Sequence, residues 1–153
     1  MREMEPLQSL EPLLRGDAVE AMEIAKQIIG HKLIVDPESL ETILSDKRSR
    51  KWARIAAIYS LGFLGERSAV PALLSILSDR REPIGVRAHA AEALGNINDA
   101  DAVASLARVL ERERSPSLRP WCIYALEEID TPEARAALQS VRQPRRQSKR
   151  ADR

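Results

Sequence analysis

Aromatic residues are scarce in this chain: two Trp, two Tyr and one Phe make up 3% of 153 residues. A core without them rests on Ala, Leu, Ile and Val, which suits closely packed helices. A single cysteine, Cys122, excludes an internal disulfide framework and fits a reducing compartment. No apolar run approaches the roughly 20 residues that span a bilayer. The first residues, Met1-Arg-Glu-Met-Glu-Pro, lack the apolar stretch of a secretory signal. The expected location is therefore a cytoplasm, with no membrane partner. His31 and His89 are the two histidines, and neither has a ligand-spaced companion. No glycine-rich phosphate loop or cysteine cluster appears, and a Ser/His/Asp or Cys/His triad is not expected. These absences point to a chain that is not an enzyme and holds no cofactor or metal.

What the chain has is repetition. Adding 33 to Arg54, Ala57, Leu61, Gly62, Ala69, Val70, Leu73 and Leu77 gives Arg87, Ala90, Leu94, Gly95, Ala102, Val103, Leu106 and Leu110. The next unit follows at 32, where Arg87, Ala90, Leu94 and Leu106 become Arg119, Cys122, Leu126 and Leu138. Backwards by 33, Leu61, Leu73 and Leu77 become Ile28, Leu40 and Leu44. A fixed period of this length means stacked helical hairpins, since one hairpin cannot bury its apolar face alone.

Each unit reads as helix, short turn, helix. Ala90, Ala93, Leu94 and Ile97 keep the i, i+3, i+4, i+7 spacing of one apolar face, and Val103, Leu106 and Leu110 continue it in the partner. The pattern predicts helices over 8–15, 17–30, 37–46, 49–62, 68–78, 84–95, 100–112, 118–129 and 131–142. Gly62 and Gly65 are expected to stop one of them. Pro71 and Pro132 suit the opening turn of second helices. Residues 1–142 form one repeat domain; 143–153 read as a disordered tail. From Arg142 onward six basic residues face one acid, Asp152, so this end carries +5 and the rest of the chain −4.

The strings Arg54-Ile-Ala-Ala-Ile-Tyr-Ser-Leu-Gly-Phe-Leu-Gly65 and Val86-Arg-Ala-His-Ala-Ala-Glu-Ala-Leu-Gly95 resemble HEAT-like repeats of the phycobilisome-lyase type. The resemblance covers about residues 17–142. It implies an all-α, right-handed α-solenoid of about four hairpins with an N-terminal half-repeat. The family includes bilin lyase subunits, scaffolds, adaptors and a few enzymes. One of these, deoxyhypusine hydroxylase, holds iron with recurring His-Glu pairs; no His-Glu dipeptide occurs here.

Charged residues recur with the architecture. Asp46 precedes Arg54 by eight residues, Asp79 precedes Arg87 by eight, and Glu111 precedes Arg119 by eight. The spacing predicts a structural ladder, an acid closing one hairpin and an arginine opening the next. Further cations crowd the links: Lys47, Arg48, Arg50 and Lys51; Arg80 and Arg81; Arg112 and Arg114. Stacked on one edge they would form a basic ridge able to track phosphates, with Glu66, Glu82 and Glu113 diluting its field. Trp52 and Trp121 are not repeat equivalents and are expected on an outer or junctional surface, as anchors for a partner. Cys122 takes the slot of Ala57 and Ala90 and reads as a small core residue.

The polar sides of the second helices carry Glu38 and Thr42, then Ser75, then Ser105 and Arg108. In HEAT-like stacks this side lines the concave groove. The expected function is a protein-binding scaffold or adaptor that receives another protein there, anchored by Arg108, Trp52 and Trp121. The alternatives are an accessory subunit of a bilin lyase-like complex and a nucleic-acid binder using the basic links and tail.

Overall fold

A computed structural model describes residues 10–143. Among them nine α-helices run in order: α1 Glu11–Arg15, α2 Ala18–Ile29, α3 Pro37–Ser45, α4 Lys51–Leu64, α5 Val70–Ser78, α6 Ile84–Ile97, α7 Val103–Arg112, α8 Arg119–Ile129 and α9 Pro132–Arg142. No strand occurs among the described residues. By the repeat register the helices group as α2/α3, α4/α5, α6/α7 and α8/α9, with α1 before them, and each second helix packs most closely on the next first helix, α3 on α4, α5 on α6 and α7 on α8. The basic tail from residue 144 lies outside the described residues.

Local chemistry sets the helix ends. Asp17 accepts hydrogen bonds from the amides of Val19 and Glu20, and the Glu20 carboxylate accepts one from Asp17 N–H, a reciprocal cap for α2. Asp36 caps α3 through Ser39 N–H, and Thr131 caps α9 through Ala134 N–H. Single turns of 3₁₀ helix, Arg67–Ala69 and Ala100–Ala102, lead into α5 and α7, so both second helices open later than the apolar pattern suggests. Gly65 ends α4 at φ 70°, and Asn98 and Asp130 end α6 and α8 at φ 58° and 47°. These left-handed stops recur at one place in each of the last three units.

Gly62 does not stop α4, which runs on to Leu64. It is a packing residue. A Cβ there would lie 2.8 Å from Ala93 Cα, and one on Gly95 would lie 2.8 Å from Ala125 Cα. The first helices α4, α6 and α8 thus meet backbone to backbone through glycine and alanine. The second helices touch one another far less. Between the two layers Leu61, Leu94 and Leu126 are fully buried at equivalent places, beside Leu40, Leu44, Leu73, Leu77, Leu106 and Leu110. At roughly 1.5–3 kcal/mol per buried aliphatic side chain, this continuous seam is the main favourable term holding the units together.

Candidate functional site

Arg54, Arg87 and Arg119 open α4, α6 and α8 and point at the second-helix layer. Arg54 Nε donates to Leu44 O at 2.8 Å, and Arg87 Nε donates to Leu77 O at 3.0 Å. Each satisfies a carbonyl at the end of the preceding second helix. Arg119 does the same through Nη1, donating to Leu110 O and Glu113 O. The ladder therefore exists, but its acids are not the expected ones. Arg54 forks onto Glu82, Nη1 to Oε2 at 2.8 Å and Nη2 to Oε1 at 2.9 Å, and both side chains are buried. Arg87 Nη1 donates to Glu113 Oε2 at 3.0 Å.

Asp46 and Asp79 instead accept from the link amides two residues on, Arg48 N–H and Arg81 N–H. Asp79 also takes the Lys47 ammonium at 2.6 Å. The reason is reach. The arginine turns inward from the first turn of its helix, while the preceding aspartate stays outside at the link surface. Only a glutamate from the following link comes back over the layer to meet the guanidinium. Glu82 and Glu113 are thus ladder rungs and do not dilute a surface field. Hydrogen bonding to Arg54 holds the Glu82 carboxyl below the usual glutamate range. Amides of Ser115 and Arg114, then Arg87, lower Glu113 likewise.

Because second helices stand apart and face one another with small residues, a furrow opens between each neighbouring pair. The first lies between α1 and α3, lined by Leu14, Ser39, Thr42 and Asp46. The second lies between α3 and α5, lined by Ser45, Lys47, Ser75, Asp79 and the Arg54–Glu82 pair. The third lies between α5 and α7, lined by Ser78, Arg80, Ser105, Arg108, Arg112 and the Arg87–Glu113 pair. The fourth lies between α7 and α9, lined by Glu111, Arg114, Arg119 and Ser140. The second and third measure about 160 and 250 Å³, small for a drug-sized ligand but ample for a side chain. Thr42, Ser75, Ser105 and Arg108 each line one of these furrows, whereas Glu38 is exposed on α3 and lines none.

Trp52 and Trp121 belong elsewhere. At about 100° per residue, Trp52, Tyr59 and Phe63 share one stripe of α4, and Arg54 and Leu61 sit opposite. Since Arg54 and Leu61 face the second helices, the stripe faces away from them. Trp52 is 42% and Phe63 51% exposed, and Tyr59 packs on Phe63 with ring centroids 4.5 Å apart. On α8, Trp121 meets Tyr124 edge-on at 5.8 Å, and the Tyr124 hydroxyl donates to Asn96 Oδ1 of α6. All five aromatic side chains of the chain lie on first helices, and none is fully buried. The expected tryptophan anchors and the expected groove residues, Arg108 among them, are therefore two surfaces, on opposite layers.

The basic links divide too. Arg48 reaches Asp46, Arg50 donates to the carbonyls of Arg15 and Gly16, Lys51 lies 4.6 Å over the Trp52 ring, and Arg114 donates to Glu111 O. Arg81 is exposed outside the furrows, while Arg80 and Arg112 line the third. Cys122 is buried between helices, and burial pushes its thiol up to about 12, which leaves it inert.

A family model described as HEAT repeats matches residues 37–119 and 80–151. The chain belongs to the HEAT-repeat family. No curated protein matches it. HEAT repeats generally serve as protein-interaction scaffolds, and no helix among the described residues is long and apolar enough to cross a membrane.

Proposed function

We propose that this HEAT-repeat chain is a non-catalytic adaptor that binds another protein along its second-helix face, the side taken as concave. The series of furrows between successive second helices carries this reading. Serines, a threonine and short aliphatic groups line part of each, beside charged side chains, and those small groups lose little freedom when a partner segment docks. The buried arginine pairs beneath them fix the spacing of the units and give the partner a preorganised surface. Arg108 rises from the third furrow as an exposed anchor. A single buried thiol suits a reducing cytoplasm.

The test is capture from extract of the native host by immobilised wild-type chain, against Ser75→Trp and Ser105→Trp, which fill the second and third furrows. Loss of the captured species from the filled variants supports the reading. Capture that survives furrow filling but fails with Trp52→Ala or Trp121→Ala moves the partner to the first-helix face and overturns it. The accessory-subunit reading rests on the resemblance of the strings at 54–65 and 86–95 to phycobilisome-lyase-type repeats; an absorbance change on mixing with a bilin would favour it.

A further inference from the structure

The repeat supplies its own control for the chemistry of the third furrow. Subtracting 33 from Arg80, Arg108 and Arg112 gives Lys47, Ser75 and Asp79, the same positions in the second furrow. There the charges cancel within the protein, Lys47 Nζ donating to Asp79 Oδ2 at 2.6 Å and the Arg54–Glu82 pair closing the floor. In the third furrow the serine and the aspartate have both become arginine. Among the described residues Arg80, Arg108 and Arg112 make no ion pair. Of the nearby acids, Glu113 holds Arg87, and Glu111 lines the next furrow. Arg108 and Arg112 stand one turn apart on α7, a like-charge spacing that works against a helix. Three guanidiniums thus share one furrow, and nothing among the described residues neutralises them.

We propose that the third furrow is a carboxylate-recognition site for an acidic segment of the partner protein. Planar guanidiniums suit forked contacts to Asp and Glu side chains. Ser78 and Ser105 offer hydroxyl donors, and Val109 with the arginine stems gives apolar walls for the residues between the acids. In the adjoining fourth furrow Arg114 and Arg119 donate to backbone carbonyls beside Glu111, and toward the N-terminus the cations stop. The first furrow carries Asp46 and the second is self-neutralised, so a phosphate backbone would find no track, whereas one or two carboxylates find a complete set of partners. This inference rests on the adaptor reading and names the partner's chemistry.

The experiment is fluorescence anisotropy with a fluorescein-labelled peptide of alternating Glu and Leu. The double variant R108S/R112D copies the second furrow, so its fold is safe, and its new carboxylate can take Arg80 as Asp79 takes Lys47. Peptide binding should be saturable, about tenfold or more weaker in R108S/R112D, unchanged in R81S, and lost when Gln replaces Glu in the peptide. No saturable binding, equal affinity for R108S/R112D, or an equal loss in R81S overturns the site. A single-stranded DNA oligonucleotide of matched charge that binds more tightly and is displaced by the peptide overturns it in favour of nucleic acid. The two readings fail separately. If furrow filling with Ser105→Trp still abolishes capture from host extract while the peptide result fails, only the carboxylate assignment falls.

Discussion

Removing Glu82 tests whether the arginine ladder is part of the stack's stability or a surface ornament. Arg54 and Glu82 are about 6% and 3% exposed at their side chains, and Glu82→Ala leaves the guanidinium with Leu44 O as its remaining acceptor. Stranding one member of a buried pair costs about 3–5 kcal/mol, a large share of the roughly 5–15 kcal/mol that holds a domain folded. With a urea slope of about 2 kcal/mol per molar, the midpoint should fall by about 2 M. Arg54→Met with Glu82→Ala should recover much of the loss, because a matched apolar replacement leaves no unpaired charge. The exposed Arg142–Glu127 pair is the control, worth about 1 kcal/mol or less. Equilibrium urea unfolding followed by tryptophan emission measures all four proteins. The same pair has a pH signature. The folded Glu82 carboxyl lies below its ordinary value, so its contribution is complete above the unfolded glutamate pKa and disappears as pH falls through the folded value. Wild type should therefore lose more stability on acidification than Glu82→Ala. A Glu82→Ala loss no larger than that of Glu127→Ala would mean that the buried pair adds nothing beyond a surface one.

Other substitutions probe the layers and the core thiol. Gly62→Ala places a methyl against the Ala93 backbone and should cost about 1–3 kcal/mol, whereas Gly85→Ala in α6 meets open space and should stabilise by roughly 0.5–1 kcal/mol; thermal unfolding reads the opposite signs. Cys122 should resist a thiol reagent in the folded protein and react once urea unfolds it; fast native modification would contradict its burial. Trp52→Ala and Phe63→Ser should each cost about 1–2 kcal/mol, less than Glu82→Ala, since both side chains are only half-buried and leave the inter-layer seam intact.

The period exposed the architecture directly, because Arg54, Leu61 and Leu73 recur where the stack demands them. Three features escaped a fixed offset. Glu82 and Glu113 stand 28 and 26 residues after their arginines, so links of unequal length hide the pairing from any single register. Gly62 sits three residues before the true stop, Gly65, and a glycine near a helix end reads the same whether it turns the chain or admits a neighbouring backbone. Only the approach of α6 separates the two roles. The aromatic stripe was within reach, since Trp52, Tyr59 and Phe63 follow i, i+7, i+11 opposite Arg54 and Leu61. Neither tryptophan has an aromatic repeat equivalent, so the period does not carry the stripe. Joining them to Ser75, Ser105 and Arg108 in one site failed because the free stripe of a first helix points away from the second-helix layer.

Whether a protein partner occupies the furrowed second-helix face is the deciding question. Backbone amide NMR shifts recorded while titrating the partner captured from the host decide it. Occupancy of that face should concentrate the shifts at Ser75, Ser105, Arg108 and Arg112. Shifts confined to Trp52, Tyr59, Phe63 and Trp121, with the furrows silent, would contradict it.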